Sequence, residues 1–226
     1  MGKTEMSLLD WQGCPAIRAE SLIGHYVRLE VLDWLRHGQG LFDALCGDKN
    51  EALWRYLPLE CPQTLAEFKL RFDEKHNEGH WLSYVFCHAH SHKVLGMASY
   101  MRHRPKEGSV EIGMIAFGPD LSKTVMATEG LYLMAHHAFE AHGYRRLEWK
   151  CNNDNEPSKR AALRLGFVYE GLFRQDQVVK GLNRDTAWFS IIDQEWPPLK
   201  ARFKTWLKAD NFDGLGQQIT ALNDLS

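Results

Sequence analysis

The spacing of apolar residues divides the chain into elements whose character changes half-way along. Tyr26 to Val31 alternates like a short strand, and Asp33 to Leu45 has helical spacing, with a point of interruption at Gly38 and Gly40. Thr64-Leu65-Ala66-Glu67 forms a capping box, in which hydroxyl and carboxylate reciprocally satisfy backbone donors, and Leu65, Phe68 and Phe72 then line one helix face. Ser83 to Cys87, Lys93 to Met101 and Ser109 to Phe117 are β-rich runs separated by polar or Pro/Gly-containing loops, which predicts an antiparallel meander.

From there the order alternates. A helix from Thr124 to His142, ended by Gly143, carries Ala127, Leu131, Met134, Ala135 and Ala138 on one stripe. A strand at Arg145 to Cys151 follows, then a helix at Pro157 to Leu165 ended by Gly166, and strands at Phe167 to Phe173 and Asp185 to Ile192. An antiparallel half running into a β-α-β-α-β half predicts a mixed α/β sandwich of about six to seven strands, with helices on both faces, rather than a doubly wound sheet. Residues 1–20 read as an arm and 21–197 as one domain without internal boundary. Residues 198–226 read as a helical extension, Leu199 to Leu207, followed by a polar tail that frays.

Composition adds exclusions. With 44% apolar and 25% charged residues the chain is an ordinary folded protein, and a formal net charge of -2 argues against affinity built on nucleic-acid phosphates. The absence of an apolar run of about 20 residues, and of a basic start followed by an apolar stretch, predicts a cytoplasmic protein with no membrane association. The five cysteines include no C-x-x-C pair and read as reduced, buried thiols, Cys151 included. His88, His90 and His92 would share a face if extended, but no cysteine or carboxylate adjoins them, so no metal is expected.

Candidate chemistry begins where Val110 to Phe117 leads through Gly118-Pro119-Asp120-Leu121-Ser122-Lys123 into the helix at Thr124. A helix start offers unpaired N–H groups and the positive end of a dipole, which suit a pyrophosphate. An ordinary strand-to-helix turn would look the same. The later stretch Glu148-Trp149-Lys150-Cys151-Asn152-Asn153-Asp154-Asn155-Glu156-Pro157-Ser158, followed by Leu165-Gly166-Phe167 and Glu170-Gly171, decides between them. It resembles the strand, N-x-x-S turn, helix and L-G-F of GNAT acetyltransferases, with the branch of ribosomal-protein-alanine N-acetyltransferases most alike. Val110-Glu111-Ile112-Gly113, Ala127-Thr128-Glu129 and the Gly181 to Asp185 segment have counterparts in the same order.

The resemblance implies a GNAT fold splayed between the strands at 109–117 and 145–151, acetyl-CoA as cosubstrate and an amine as acceptor. It assigns acetyl-CoA to Ile115, Phe117, Ser122, Lys123, Thr124, Val125, Met126, Ala127 and Thr128, together with Asn155 and Ser158. The family's phosphate loop reads Arg/Gln-x-x-Gly-x-Gly/Ala, whereas Asp120, Lys123 and Val125 stand at those positions here, so two glycines are missing. Ser122, Lys123 and Thr124 would offset the loss through direct phosphate contacts.

An amino terminus (pKa near 8) or a lysine (near 10.4) is protonated at neutral pH, so direct attack on the thioester calls for a base. Glu111 is the candidate, against the alternative of a salt-bridged strand carboxylate. Ser158 would protonate the departing thiolate, with Asn155 holding the turn, although both residues also suit a helix cap. Trp54, Tyr56, Trp81 and Tyr169 are candidate walls of the acceptor site, and Arg174, Lys180 and Arg184 would favour an acidic acceptor. The alternatives are a catalytically silent acyl-CoA-binding module, motivated by the missing glycines, and a protein-interaction domain; monomer and homodimer both stay open.

Overall fold

The computed structural model describes residues 8–214 and 216–225; the expected arm and tail therefore extend in part beyond the described residues. One mixed sheet of eight strands runs through the chain in the order β1 (Leu22–Ile23), β2 (Val27–Val31), β3 (Leu82–His88), β4 (Val94–Arg104), β5 (Ser109–Phe117), β6 (Arg146–Asn152), β8 (Leu182–Ile192) and β7 (Val168–Val179). All neighbours are antiparallel except β5 and β6. The strand beyond the expected seven is β1, a two-residue edge pairing too short to show a period.

Helices α1 (Trp34–Leu45) and α2 (Leu65–Glu78) cover one face, where Leu41, Leu45, Phe68 and Phe72 bury against Val85, Met97 and Ala116. The other face carries α3 (Val125–His136), α4 (Glu156–Arg164) and α5 (Trp196–Trp206), packed on Tyr84, Tyr100, Val110, Leu147 and Phe189. The glycines in α1 do not interrupt it. A Cβ at Gly40 would stand 2.7 Å from Val94 Cβ, so this glycine lets α1 lie close on β4, and packing outweighs its poor helix propensity. At the start of α2, Thr64 Oγ1 accepts from Glu67 N–H as the capping box requires, while the Glu67 carboxylate reaches one residue further back, to Gln63 N–H.

Helix α5 begins at Trp196, three residues before the expected start, because Pro197 and Pro198 fall in its first turn, where their missing N–H groups cost nothing. Beyond it the tail is packed rather than frayed: Leu222 is fully buried, and the Asn211 amide donates to Trp206 O and Thr220 O. Ile17 likewise joins the main core from the N-terminal arm.

Candidate active site

The site is opened by a failure of pairing. Strands β5 and β6 are bonded only at Ser109–Arg146, Val110–Leu147 and Glu111–Glu148, and from Ile112 and Trp149 onward they diverge. The cause lies in β5. Its register against β4 slips by one residue between Gly113 and Ala116, and Met114 sits at φ +47°, a left-handed conformation rare for a side-chain-bearing residue. The extra residue reverses the alternation: Val110 and Ile112 face α3, whereas Met114 and Ala116 face α1. Beyond the split, the β5 edge that would bond β6 is unpaired, and a cleft of about 520 Å³ occupies the gap.

Because the strands separate, the cleft is reached from both faces of the sheet. On the α1 and α2 side lie Glu111, Lys150, Met101 and Trp81; on the α3 and α4 side lie Trp149, Ser158, Ala161 and Leu131. Glu111 is 2% exposed, with Lys150 Nζ 3.2 Å from Oε2 and Arg102 Nε at 3.7 Å. Burial pushes its carboxyl above the ordinary range; Lys150 and then Arg102 oppose that rise, and nearby Glu148 adds to it. A Cβ at Gly113 would come within 2.8 Å of Glu111 Oε1, so glycine there keeps room for the carboxylate. Glu148 is itself held by Arg104 and by Arg146 Nε at 2.9 Å.

Across the cleft, Asn155 caps α4 by accepting from Ser158 N–H at 3.2 Å. Ser158 Oγ accepts from the indole Nε1 of Trp149 at 3.0 Å, and the hydroxyl also lies against the Cys151 thiol, a weak partner that a stronger acceptor can displace. Capping and a hydroxyl facing the cleft thus coexist in one turn. Cys151 lines the same wall, and burial pushes its thiol up, so it is a neutral neighbour of Ser158 and no nucleophile.

The expected phosphate-binding residues gather at the start of α3. Thr124 is its N-cap, accepting from Ala127 N–H at 3.3 Å and donating to Leu121 O at 2.6 Å. Val125 and Met126 form the first turn, ahead of the first ladder bond, from Thr128 N–H to Thr124 O. Lys123 has φ +63°, the left-handed backbone that glycine would supply without strain, so a lysine here adopts a conformation that suits glycine. Val125 has no such φ, and the second missing glycine is not required by conformation. Ile115, Phe117 and Ser122 border the cleft, whereas Ala127 and Thr128 are buried, with Thr128 Oγ1 accepting from Arg164.

Of the four aromatic residues expected around the acceptor, Tyr56 and Trp81 border the cleft. Tyr56 belongs to a 3-10 segment, Asp48–Tyr56, and its hydroxyl donates to Asp154 O at 3.1 Å, which ties the roof of the cleft to the β6–α4 turn. Trp54 is only 1% exposed and belongs to the core: its indole donates to Leu45 O and its ring meets Phe68 edge-on. Tyr169 is half exposed on β7, edge-on to Phe189 and away from the cleft.

Several contributors were hidden from sequence reasoning. Lys150 meets Glu111 only because β5 and β6 run in parallel register, a long-range fact. Glu129, buried in α3, accepts from the N–H groups of His25, Tyr26 and Val27 at 2.8, 2.7 and 2.9 Å and so pins α3 to the β1–β2 turn. Its partners lie more than a hundred residues away, and no spacing could expose them.

A mixed sheet split after a bulge, with a helix N-terminus on one side and a buried carboxylate on the other, defines an acyl-CoA-dependent transferase fold of the GNAT type. The comparisons agree. The Acetyltransferase (GNAT) domain family matches residues 31–168. A GCN5-related N-acetyltransferase from Brucella melitensis superimposes with a TM-score of 0.91 at 43% identity, covering 95% of this chain and 97% of its own. The ribosomal-protein-serine acetyltransferase of Escherichia coli (strain K12) is 25% identical over 70% of this chain and 89% of its own length. A ribosomal L7/L12 alpha-N-protein acetyltransferase solved with coenzyme A shares the fold at 21% identity and a TM-score of 0.64, over 78% of this chain and 99% of its own. The chain belongs to the GNAT family of N-acetyltransferases, enzymes that draw the acetyl group from acetyl-CoA. Among the described residues, no helix is long and apolar enough to cross a membrane.

Proposed function

We propose that this enzyme acetylates a primary amine by direct attack, with Glu111 as base and Ser158 as acid on opposite sides of the split sheet. The observation that carries the reading is that one cleft joins a buried carboxylate to a hydroxyl oriented by the Trp149 indole. The residues suit acetyl-CoA: the first turn of α3, with Ser122 and Lys123, offers donors for a pyrophosphate, and the free edge of β5 offers backbone partners for an amide-containing arm. When bound, acetyl-CoA supplies a thioester open to attack by a neutral amine.

Glu111 removes the proton that an ammonium must lose, and its upward-shifted carboxyl is a stronger base than an exposed glutamate. A backbone N–H between Ile115 and Phe117 receives the negative charge that develops on the carbonyl oxygen. Ser158 donates its proton to the departing sulfur, the Trp149 indole fixing the direction in which the hydroxyl points. Cys151 takes no part, and no covalent enzyme intermediate forms. The left-handed Lys123 weakens the case for a silent binding module, because the turn holds a backbone that glycine would otherwise supply. A polypeptide amino terminus and a small-molecule amine both meet these requirements; the former accords with the ribosomal-protein-serine acetyltransferase that this chain resembles.

The test is Glu111→Gln, assayed by thiol release. Turnover should fall by about 10²- to 10⁴-fold, the usual contribution of a positioned base, with acetyl-CoA affinity within about twofold of the parent. Undiminished turnover would remove Glu111 from the mechanism.

A further inference from the structure

The walls of the cleft carry two cations, Lys150 and Arg184, and only one is matched. Lys150 is paired with Glu111. The guanidinium of Arg184, on β8 opposite Gln177 of β7, makes no hydrogen bond or ion pair among the described residues; its Nε is buried and desolvation depresses its pKa, while the more distant Glu111 and Asp176 carboxylates only oppose that shift. Several cations nearby have partners: Arg102, Arg104 and Arg146 share Glu148, and Lys180 meets Glu60. A part-buried guanidinium without a bonded counter-ion is costly, and such a cost persists where a ligand supplies the missing anion.

The surroundings point the same way. Arg184, Thr186 and Trp188 alternate along β8 and therefore share the sheet face of Lys150 and Glu111. Each has a buried polar atom without a partner, Arg184 Nε, Thr186 Oγ1 and Trp188 Nε1, and all three can donate. Across the cleft, Glu111 Oε2 has no aligned hydrogen bond. One end of the cleft therefore has a guanidinium with no bonded anion, and the other has the Glu111 carboxylate beside Lys150.

We infer that Arg184 forms an anion subsite and that the acceptor is an amine bearing a carboxylate. This rests on the acetyl-transfer reading and narrows it. The carboxylate could belong to a free amino acid or to an acidic side chain near a peptide's amino terminus, and paired probes separate the two. Thiol release is measured with amino acids against their amides, and with short peptides bearing Glu against Gln at the second position. The expected result is a kcat/KM preference of about 10- to 100-fold for the charged member of one pair, carried by KM and lost in Arg184→Gln. Equal rates within both pairs, or a preference that survives Arg184→Gln, would overturn the subsite while leaving acetyl transfer intact. Calorimetric titration of the coenzyme A-loaded protein with an acetylated amino acid and its amide reads the subsite without turnover. Tighter binding of the acid that is lost in Arg184→Gln supports it, and equal affinities refute it even where no amine is turned over. Failure of every amine in the thiol-release assay counts against the transfer reading alone.

Discussion

Lys123 offers the most informative perturbation, because two of its properties can be separated. Its backbone is left-handed, at φ +63°, and its exposed side chain makes no ion pair among the described residues. A side-chain-bearing residue in that conformation is disfavoured by about 1–2 kcal/mol. Glycine relieves this strain but carries about 0.5–1 kcal/mol of extra backbone entropy in the unfolded chain. Lys123→Gly should therefore stabilise the protein by about 0.5–1 kcal/mol, or about 1–4 °C in Tm for a chain of this length. Lys123→Ala keeps the Cβ and the strain, and should melt within about 1 °C of the parent. Both variants lose the ammonium, and an exposed charge contact of about 0.4–1 kcal/mol, in the upper part of the usual range, predicts acetyl-CoA binding about two- to fivefold weaker in Lys123→Ala. Differential scanning calorimetry gives the first quantity and titration calorimetry the second. If Lys123→Gly melts at or below Lys123→Ala, the turn is not held left-handed; if Lys123→Ala binds acetyl-CoA as tightly as the parent, lysine does not compensate for the family's glycine.

Other expectations follow from the same geometry. Glu129→Gln leaves one acceptor oxygen for the three backbone N–H groups that the carboxylate now serves, and should cost about 3 kcal/mol or more, a Tm loss of about 6–12 °C by thermal melting. An unchanged Tm would mean that this clamp does not hold α3. With Glu111 as the proposed base its ionised form is the active one, so kcat/KM should fall as pH drops through its pKa, and burial sets that limb above the ordinary carboxylate range. Lys150 opposes the rise; Lys150→Met should therefore shift the limb to still higher pH with the same acceptor, and a shift to lower pH would contradict the assignment.

Local chemistry was legible from sequence. The Thr64 cap, the meander from Leu82 to Phe117 and the Asn155–Ser158 turn each depend on residues within a few positions of one another, and each sits where the spacing places it. Less was readable where a conformation breaks the period. Strand β7 continues past Phe173 to Val179, but a register slip with Gln175 at φ +50° scrambles its alternation. The 3-10 segment that brings Tyr56 over the cleft has no helical stripe to announce it. Trp54 shows why residue type is a weak guide to a site: a large aromatic near a cleft is more readily used to fill the core. The pairing of Lys150 with Glu111, the clamp on Glu129 and the unmatched Arg184 arise from strands and helices far apart in sequence, and only the assembled sheet brings them into view.

The central claim is that one cleft between β5 and β6 holds acetyl-CoA and delivers its acetyl group to an amine. Thiol release over a panel of peptides and small amines, run beside acetyl-CoA titrations of the parent and Ser158→Ala, tests it most directly. The account predicts turnover on at least one amine, with Ser158→Ala lowering kcat by about tenfold or more while acetyl-CoA affinity stays within about twofold. Tight acetyl-CoA binding with no thiol released on any amine, or a Ser158→Ala enzyme as fast as the parent, would contradict it.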